Sequence, residues 1–198
     1  MSTVIIVHGW AGDSESGWLP WLAGELRNRS VEVITPDMPD TNTPKIESWV
    51  PFLSGLVKEA NENLYLVGHS MGCLTIMRYL QDLPENVKIG GAVFVAGFSK
   101  TLTGLNDAEA LVAKPWLETP LDWARVASHC SSFVDIYSDD DPFVPVSEAQ
   151  ILRDKLNAKL VLDSGRGHFT EEYDITQLPS ALNELLVVMG LPVETTLI

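Results

Sequence analysis

Short runs of apolar residues alternate along the chain with longer stretches in which apolar residues recur every three or four positions. Six of the short runs predict β-strands, and most of these runs are almost continuously apolar, as expected for parallel strands covered on both faces. The predicted strands are Thr3–Val7, Val31–Thr35, Leu64–Val67, Gly91–Ala96, Phe133–Tyr137 and Lys159–Leu162.

The stretches between these runs have helical spacing. The predicted helices are Trp18–Arg29, Ile46–Asn61, Met71–Leu83, Val146–Leu156 and Ile175–Met189. Alternation of strands and helices is typical of right-handed βαβ units, so we expect an α/β fold with a mostly parallel six-stranded sheet and helices on both faces. Sheets of this kind bind ligands at the carboxyl ends of their strands.

The composition excludes several classes of partner. The 198 residues suit one domain, and 13 basic against 27 acidic residues give a net charge of −14. Nucleic acids and anionic membrane surfaces would repel such a chain, so neither is an expected partner. The start of the sequence lacks the basic region of a signal peptide, and no apolar run has the length of a membrane span. We therefore expect a cytoplasmic protein.

The stretch 68-GHSMG-72 joins a predicted strand to a predicted helix. It fits the pattern G-x-S-x-G, in which the serine occupies a strained turn and its side chain stands clear of the sheet. Glycines two positions to either side remove Cβ atoms that would obstruct this turn. A purely structural turn is the alternative, but the position between a strand and a helix favours Ser70 as a nucleophile.

An oxyanion formed beside Ser70 would need two hydrogen-bond donors. One candidate is the main-chain N–H of Met71, at the start of a predicted helix, where the helix dipole adds positive partial charge. The other is the N–H of Trp10, because Gly9 at the end of the first strand allows the backbone to approach closely. A tight turn after that strand would also account for Gly9.

A serine nucleophile needs a base, and the chain has four histidines. His69 is inside the serine motif, where its ring cannot readily face the neighbouring hydroxyl. His8 follows the first strand, and His129 has no motif around it. His168 lies in the glycine-rich segment 163-DSGRGHF-169 after the last strand. We predict His168 as the base, with a local capping role as the alternative.

The acid that orients this base is expected between the serine and the histidine along the chain. The fifth predicted strand ends in 138-SDDDPFVP-145, with three adjacent carboxylates. We predict Asp141 as the acid, because Pro142 holds it out of the helical region. Asp139 and Asp140 are expected to be solvated or to form the turn. An Asp-rich turn that caps the next helix is the alternative for the whole cluster.

In this order, the segments H-G-W, G-H-S-M-G, S-D-D-D-P-F-V-P and G-R-G-H-F resemble those of the α/β-hydrolase superfamily. The chain is similar to the small serine hydrolases related to the retinoblastoma-binding hydrolase and its bacterial relatives, from about residue 4 to residue 189. The resemblance implies a single α/β-hydrolase domain over residues 1–198 without a large cap domain. It also implies a catalytic triad, which maps to Ser70, Asp141 and His168.

Retinoblastoma binding in that family is associated with an L-x-C-x-E stretch. The two cysteines of this chain, Cys73 and Cys130, do not lie in one. We therefore expect the hydrolase without a retinoblastoma-type partner, and the sequence gives no indication of an oligomeric state.

The predicted function is hydrolysis of small acyl esters through an acyl-enzyme, with no metal or organic cofactor. A lid would be inserted at Gly97–His129, which is too short for a separate domain. The segment offers five possible cleft-wall residues, Phe98, Leu102, Leu105, Trp116 and Trp123, of which Phe98 and Trp116 are the candidate substrate-binding residues. Packing of one or two short helices is the alternative, and it is favoured for most of the five. The main alternative is an interaction protein that retains the fold with weak or vestigial activity. A haloperoxidase or a C–C bond hydrolase would use the same residues.

Overall fold

The computed structural model describes residues 2–193, and within them six parallel strands form one sheet. The strands are β1 (Thr3–Val7), β2 (Glu32–Ile34), β3 (Leu64–His69), β4 (Gly91–Val95), β5 (Phe133–Tyr137) and β6 (Lys159–Leu162). Their order across the sheet is β2-β1-β3-β4-β5-β6, and all neighbouring pairs are parallel. The α/β fold expected from the pattern of apolar runs is confirmed.

Helices cover both faces of this sheet. Within residues 2–193 they are α1 (Leu19–Arg27), α2 (Ile46–Leu56), α3 (Met71–Gln81), α4 (Asp107–Glu118), α5 (Trp123–Ser128), α6 (Val146–Leu156) and α7 (Pro179–Val188), with a 3₁₀ turn at Glu171–Tyr173. Helices α1 and α7 pack against each other, and α2, α3, α5 and α6 pack in a row on the other face. Strands β3 and β4 are buried at every position, which explains their unbroken apolar sequence.

Four of the five predicted helices are shorter in the structure than the sequence suggested, and the difference is largest for α2 and α7. Helix α2 ends at Leu56 rather than Asn61, because Val57 takes an extended conformation and only polar residues and one alanine follow it before β3. Helix α7 begins at Pro179 rather than Ile175. Pro179 occupies the first turn of α7, and Leu178 before it has a non-helical backbone, the geometry that a following proline favours, so α7 starts there.

Only the two helices α4 and α5 lie between β4 and β5, in agreement with a compact α/β-hydrolase fold that lacks a large cap domain. A buried arginine ties α4 to α3. Arg78 Nη2 donates to the main-chain carbonyl oxygens of Trp116, at 2.8 Å, and Thr119, at 2.7 Å. Carbonyl groups at a helix C-terminus favour a cation, so this contact fixes the end of α4.

The strand order reverses direction at β1. Strand β2 lies on one side of β1, and β3 lies on the other side. The chain therefore leaves the carboxyl ends of the neighbouring strands β1 and β3 in opposite directions. Such a switch point creates a crevice at the carboxyl ends of the strands. None of the described helices is long and apolar enough to cross a membrane.

Candidate active site

Ser70 occupies a strained backbone conformation between β3 and α3. Its φ of 52° and ψ of −116° are rare for a residue with a Cβ atom. The turn also needs both flanking glycines. A Cβ atom at Gly68 would lie 2.7 Å from the main-chain nitrogen of Cys73, and one at Gly72 would collide with the carbonyl oxygen of Val7. The sequence therefore permits this turn only through its spacing of glycines.

His168 lies between Ser70 and Asp141. Its Nε2 is 3.0 Å from Ser70 Oγ, and its Nδ1 is 2.8 Å from Asp141 Oδ2. The Asp141 side chain is only 2% exposed and that of His168 is 12% exposed, so both groups are largely shielded from water. The structure brings together the three residues that the sequence analysis selected, although 98 positions separate Ser70 from His168.

The carboxylate of Asp141 is held in one orientation. Its Oδ1 accepts hydrogen bonds from the main-chain N–H groups of Phe143, at 2.8 Å, and Val144, at 3.0 Å. These two bonds fix the carboxylate so that its Oδ2 points at His168 Nδ1. A carboxylate acceptor requires that Nδ1 carry the proton, which leaves Nε2 of His168 free to accept from the hydroxyl of Ser70.

The two neighbouring carboxylates hold the loop that carries the histidine. Asp139 accepts from the hydroxyl of Ser164, and Asp140 accepts from the hydroxyl of Ser138, at 2.6 Å, and from the N–H of Gly167, at 2.8 Å. The hydroxyl groups of Ser164 and Ser138 lower the pKa of Asp139 and Asp140 respectively. Both carboxylates are exposed, but they also anchor the loop, which the sequence analysis did not anticipate.

His69 makes a second contact with the same loop. Its Nε2 lies 2.9 Å from the main-chain carbonyl oxygen of His168 and must be the donor, since a carbonyl only accepts. Burial, and after it the nearby His168, lowers the pKa of His69 to about 3. The sequence analysis set His69 aside as a base and missed this role, because no local pattern relates residues 99 positions apart.

The main-chain N–H groups of Trp10 and Met71 lie at the ends of β1 and β3, on either side of the switch point. In the described part of the chain, neither N–H donates a hydrogen bond to another protein group. The loop that carries Trp10 is fixed by two other contacts. Ala11 N–H donates to the carbonyl of Thr41 at 2.9 Å, and the Trp10 indole donates to the carbonyl of Asn42 at 3.0 Å.

The imidazole of His8 sets the direction of the peptide that precedes Trp10. His8 Nδ1 donates to the carbonyl oxygen of Gly9 at 2.7 Å, and His8 Nε2 accepts from the N–H of Met38 at 2.9 Å. Burial lowers the pKa of His8, and the ring must be neutral for its Nε2 to accept from the N–H of Met38. Because a trans peptide is planar, fixing the Gly9 carbonyl also fixes the opposite direction of the Trp10 N–H.

A cleft of about 400 Å³ opens beside Ser70 and His168. Its apolar walls are Leu102 and Leu105, from the segment before α4, and Phe143, from the loop after β5. The leucines precede the helix rather than belong to it, so the segment between β4 and α4 forms much of the wall.

The prediction that Phe98 and Trp116 bind substrate is corrected by the structure. Both side chains are fully buried, and neither lines the cleft. The Trp116 indole donates to the carbonyl oxygen of Pro44 at 2.9 Å and packs edge-on against Trp49, with ring centroids 6.1 Å apart. Trp116 therefore belongs to the packing between α4 and α2.

A serine hydroxyl that donates to an imidazole, whose other nitrogen donates to a carboxylate, is an arrangement that can activate the serine as a nucleophile. The main-chain N–H groups of Trp10 and Met71 could donate hydrogen bonds to an oxyanion formed beside Ser70. Within residues 2–193, no group of three or more His, Cys, Asp or Glu side chains is placed to hold a metal ion.

Comparisons with known proteins agree with the fold. The YdeN protein of Bacillus subtilis (strain 168) is 32% identical over 176 residues, which are 89% of this chain and 90% of YdeN. The crystal structure of the ydeN gene product has a TM-score of 0.89 at 30% identity and covers 96% of this chain and 100% of that chain. Serine hydrolase RBBP9 of Rattus norvegicus is 28% identical over 184 residues, 90% of this chain and 94% of RBBP9.

A more distant structure, a carboxylesterase from Nitrososphaera gargenis, shares the fold with a TM-score of 0.69 at 14% identity, over 96% of this chain and 91% of that chain. The family model for serine hydrolases matches residues 4–186. These matches confirm the resemblance that the sequence motifs indicated. The chain belongs to the serine hydrolase family and is a hydrolase with an α/β-hydrolase fold.

Proposed function

We propose that the protein is a serine esterase that hydrolyses small acyl esters, with Ser70 as the nucleophile, His168 as the general base and Asp141 as the orienting acid. The observation that carries this proposal is the continuous line of hydrogen bonds from Asp141 Oδ2 through His168 to Ser70 Oγ, with lengths of 2.8 Å and 3.0 Å.

The first half of the reaction forms an acyl-enzyme. Ser70 Oγ attacks the ester carbonyl carbon while His168 Nε2 takes the hydroxyl proton, and the carbonyl electrons move onto the oxygen. When this tetrahedral intermediate collapses, the bond to the alcohol oxygen breaks, and His168 returns the proton to the departing alcohol. Asp141 stabilises the imidazolium through Nδ1–H in the interval.

The second half releases the acid. A water molecule gives a proton to His168 Nε2 as its oxygen attacks the acyl carbon of the Ser70 ester. Collapse of the second tetrahedral intermediate breaks the bond between that carbon and Ser70 Oγ. The serine oxygen recovers its proton from His168, so the enzyme returns to its starting state with one ester and one water consumed.

The N–H groups of Trp10 and Met71 are the proposed oxyanion donors. Their support is that both are free of other protein acceptors in the described residues and that Met71 is the first residue of α3. Each donor of this kind typically contributes about 3 kcal/mol to the stabilisation of the transition state.

The proposed substrate class follows from the dimensions and lining of the cleft. A volume of about 400 Å³ with leucine and phenylalanine walls suits a short acyl group and a small alcohol. The similarity of fold to a carboxylesterase supports ester hydrolysis among the reactions of the family. Aryl esters of acetate and butyrate are therefore suitable first substrates.

The test is covalent labelling with a fluorophosphonate probe, followed by intact mass and peptide mapping. We expect one adduct on Ser70 of the wild type and none in Ser70→Ala. His168→Ala should lose most of the labelling, whereas His129→Gln should keep it, because His129 is a buried histidine that lies outside the cleft and bonds the carbonyl of Val87.

Absence of an adduct on a folded wild-type sample would overturn the proposal. The fold would then be better explained by an interaction protein that retains a vestigial site. Equal labelling in wild type and His168→Ala would leave Ser70 reactive but would remove His168 from the proposed role.

The proposed location of the protein in the cell is the cytoplasm. Cys73 and Cys130 are both free and buried, and burial raises the pKa of the Cys130 thiol to about 12. Two unpaired thiols suit a reducing compartment.

A further inference from the structure

One carboxylate lies in the wall of the cleft beside the proposed nucleophile. Among the described residues that line the cleft, Glu109 is the only carboxylate, and none of them is a lysine or an arginine. The proposed reaction does not use Glu109, which leaves its position in the wall to be explained.

Glu109 has one oxygen engaged in the start of α4. Its Oε2 accepts from the N–H of Asn106 at 2.8 Å, and Asn106 Oδ1 accepts in return from the N–H of Glu109 at 3.0 Å. This capping box accounts for the presence of a glutamate or a glutamine at this position. No hydrogen bond or ion pair of the described residues involves Oε1, so half of the carboxylate has no partner in the protein.

Among residues 2–193, no cationic side chain forms an ion pair with Glu109. Lys100 and Lys114 lie in a separate groove that shares only Leu102 and Leu105 with the cleft, and Lys114 is already 3.9 Å from Glu118. The cleft that Glu109 lines also has the apolar walls Leu102, Leu105 and Phe143. A charge beside apolar surface interacts more strongly with an opposite charge than it would in water.

Two aromatic residues in the same cleft favour the same kind of ligand. Trp10 and Phe143 both line it, and aromatic faces attract ammonium groups, quaternary ones included. The net charge of −14 also raises the local concentration of cations around the protein. The carboxylate, the aromatic rings and the net charge of the protein therefore all favour a positively charged ligand in this cleft.

We propose that Glu109 is a specificity-determining residue that selects esters whose acyl group carries a positive charge, such as a protonated or quaternary amine. This inference rests on the proposed function, because it assumes that the acyl group is bound beside Ser70. The substrate class becomes cationic acyl esters rather than acyl esters in general.

The test compares two 4-nitrophenyl esters that have the same shape. One is the ester of 4-(trimethylammonio)butyrate and the other is that of 5,5-dimethylhexanoate, in which carbon replaces the charged nitrogen. We expect the wild type to prefer the cationic ester in kcat/KM by about fivefold, the upper range for a partly exposed ion pair. The preference should shrink as salt is raised from 20 mM to 500 mM, roughly a fivefold reduction in Debye length.

Glu109→Gln isolates the charge, since glutamine also closes a capping box. In this variant the ratio of kcat/KM for the cationic ester to that for the neutral ester should fall to about 1, and the dependence of this ratio on salt should disappear. Asp107→Asn is the matched control. It removes one negative charge from the same first turn of α4, but Asp107 is exposed and lies outside the cleft, so the preference should persist.

The outcomes separate this inference from the proposed function. A wild type that hydrolyses both esters equally, or a Glu109→Gln variant that keeps the preference, would overturn the inference and leave the esterase proposal intact. Failure to hydrolyse either ester, in a sample whose Ser70 takes the fluorophosphonate, would also overturn only the inference. Failure of both hydrolysis and labelling would overturn both.

Discussion

The imidazole of His69 donates from Nε2 to the main-chain carbonyl oxygen of His168 over 2.9 Å, and the two ring centroids are 5.1 Å apart. The histidine of the serine motif, His69, thus holds the backbone of the proposed base, His168. Because burial keeps the pKa of His69 near 3, His69 stays neutral when His168 takes up a proton in the proposed mechanism. A charged ring at this distance would oppose that proton transfer.

We expect His69→Leu to lower kcat by about tenfold with little change in KM, the effect of one lost hydrogen bond on the position of the base. His69→Gln, which restores an N–H donor, should recover part of the loss. His129→Gln is the control, because it also alters a buried histidine that bonds a carbonyl, without touching the cleft. Steady-state kinetics with an aryl butyrate measure the effect, and an unchanged kcat in His69→Leu would refute it.

Substitution of Ser70 separates chemistry from backbone strain. Ser70→Ala removes Oγ but keeps a Cβ atom at a φ of 52°, so turnover should fall by at least about 10⁴-fold while the free energy of unfolding changes little. Ser70→Gly should be equally inactive but more stable by about 1 kcal/mol, because glycine tolerates this conformation. Denaturant unfolding of both variants measures the difference, and a Ser70→Gly protein less stable than Ser70→Ala would show that the turn is not strained.

Gly72→Ala should unfold the protein or destabilise it by about 3 kcal/mol or more, because the new methyl group would collide with the carbonyl oxygen of Val7 in the central sheet. Gly24→Ala is the matched control in α1, where an added Cβ atom would have no neighbour within 4 Å. Alanine favours a helix over glycine, so this variant should gain about 0.5–1 kcal/mol. Similar losses in both variants, measured by urea unfolding, would contradict the expected collision.

Asp135 should make stability depend on pH in an unusual direction. Burial raises its pKa to about 8, and its Oδ2 has no hydrogen-bond partner in the described residues. Between its ordinary pKa and about pH 8, the folded state holds a proton that the unfolded state has lost, so this group contributes less stability as the pH rises.

Asp135→Asn should therefore gain stability over the wild type on going from pH 5 to pH 8, by up to about 1 kcal/mol per pH unit. Unfolding curves at several pH values provide the measurement. Asp174→Asn, at an exposed aspartate, should run parallel to the wild type. Parallel curves for Asp135→Asn as well would mean that Asp135 is ionised in the folded protein at neutral pH.

Local sequence signals were sufficient for the fold and for the selection of the proposed site residues. The apolar runs predicted all six strands, and the central strands β3 and β4 show no polar alternation because they are buried on both faces. The glycines around Ser70 and the proline after Asp141 restrict the backbone within a few residues, so their consequences could be deduced without a structure. The order of these motifs along the chain then brought them to the same edge of the sheet.

Contacts between distant segments could not be predicted in this way. An apolar side chain signals burial but not the direction in which it points, so Trp116 could have faced either the cleft or α2. The buried carboxylates Asp135 and Glu148 gave no signal at all, since each bonds the backbone of the loop after β4, at Gly97 and Ser99 respectively. The link from His69 to His168 is of the same kind.

The hydrogen bonds from Arg78 to the end of α4 determine how the rate should respond to an ester that is barely soluble in water. A cleft covered by a mobile helix would open more readily at an oil surface, because the surface could bind the apolar face of the displaced helix. Here the corresponding helix is fastened by a buried guanidinium to the helix that begins after Ser70. The rate with a sparingly soluble ester should therefore rise smoothly with its dissolved concentration and show no jump where an emulsion begins to form.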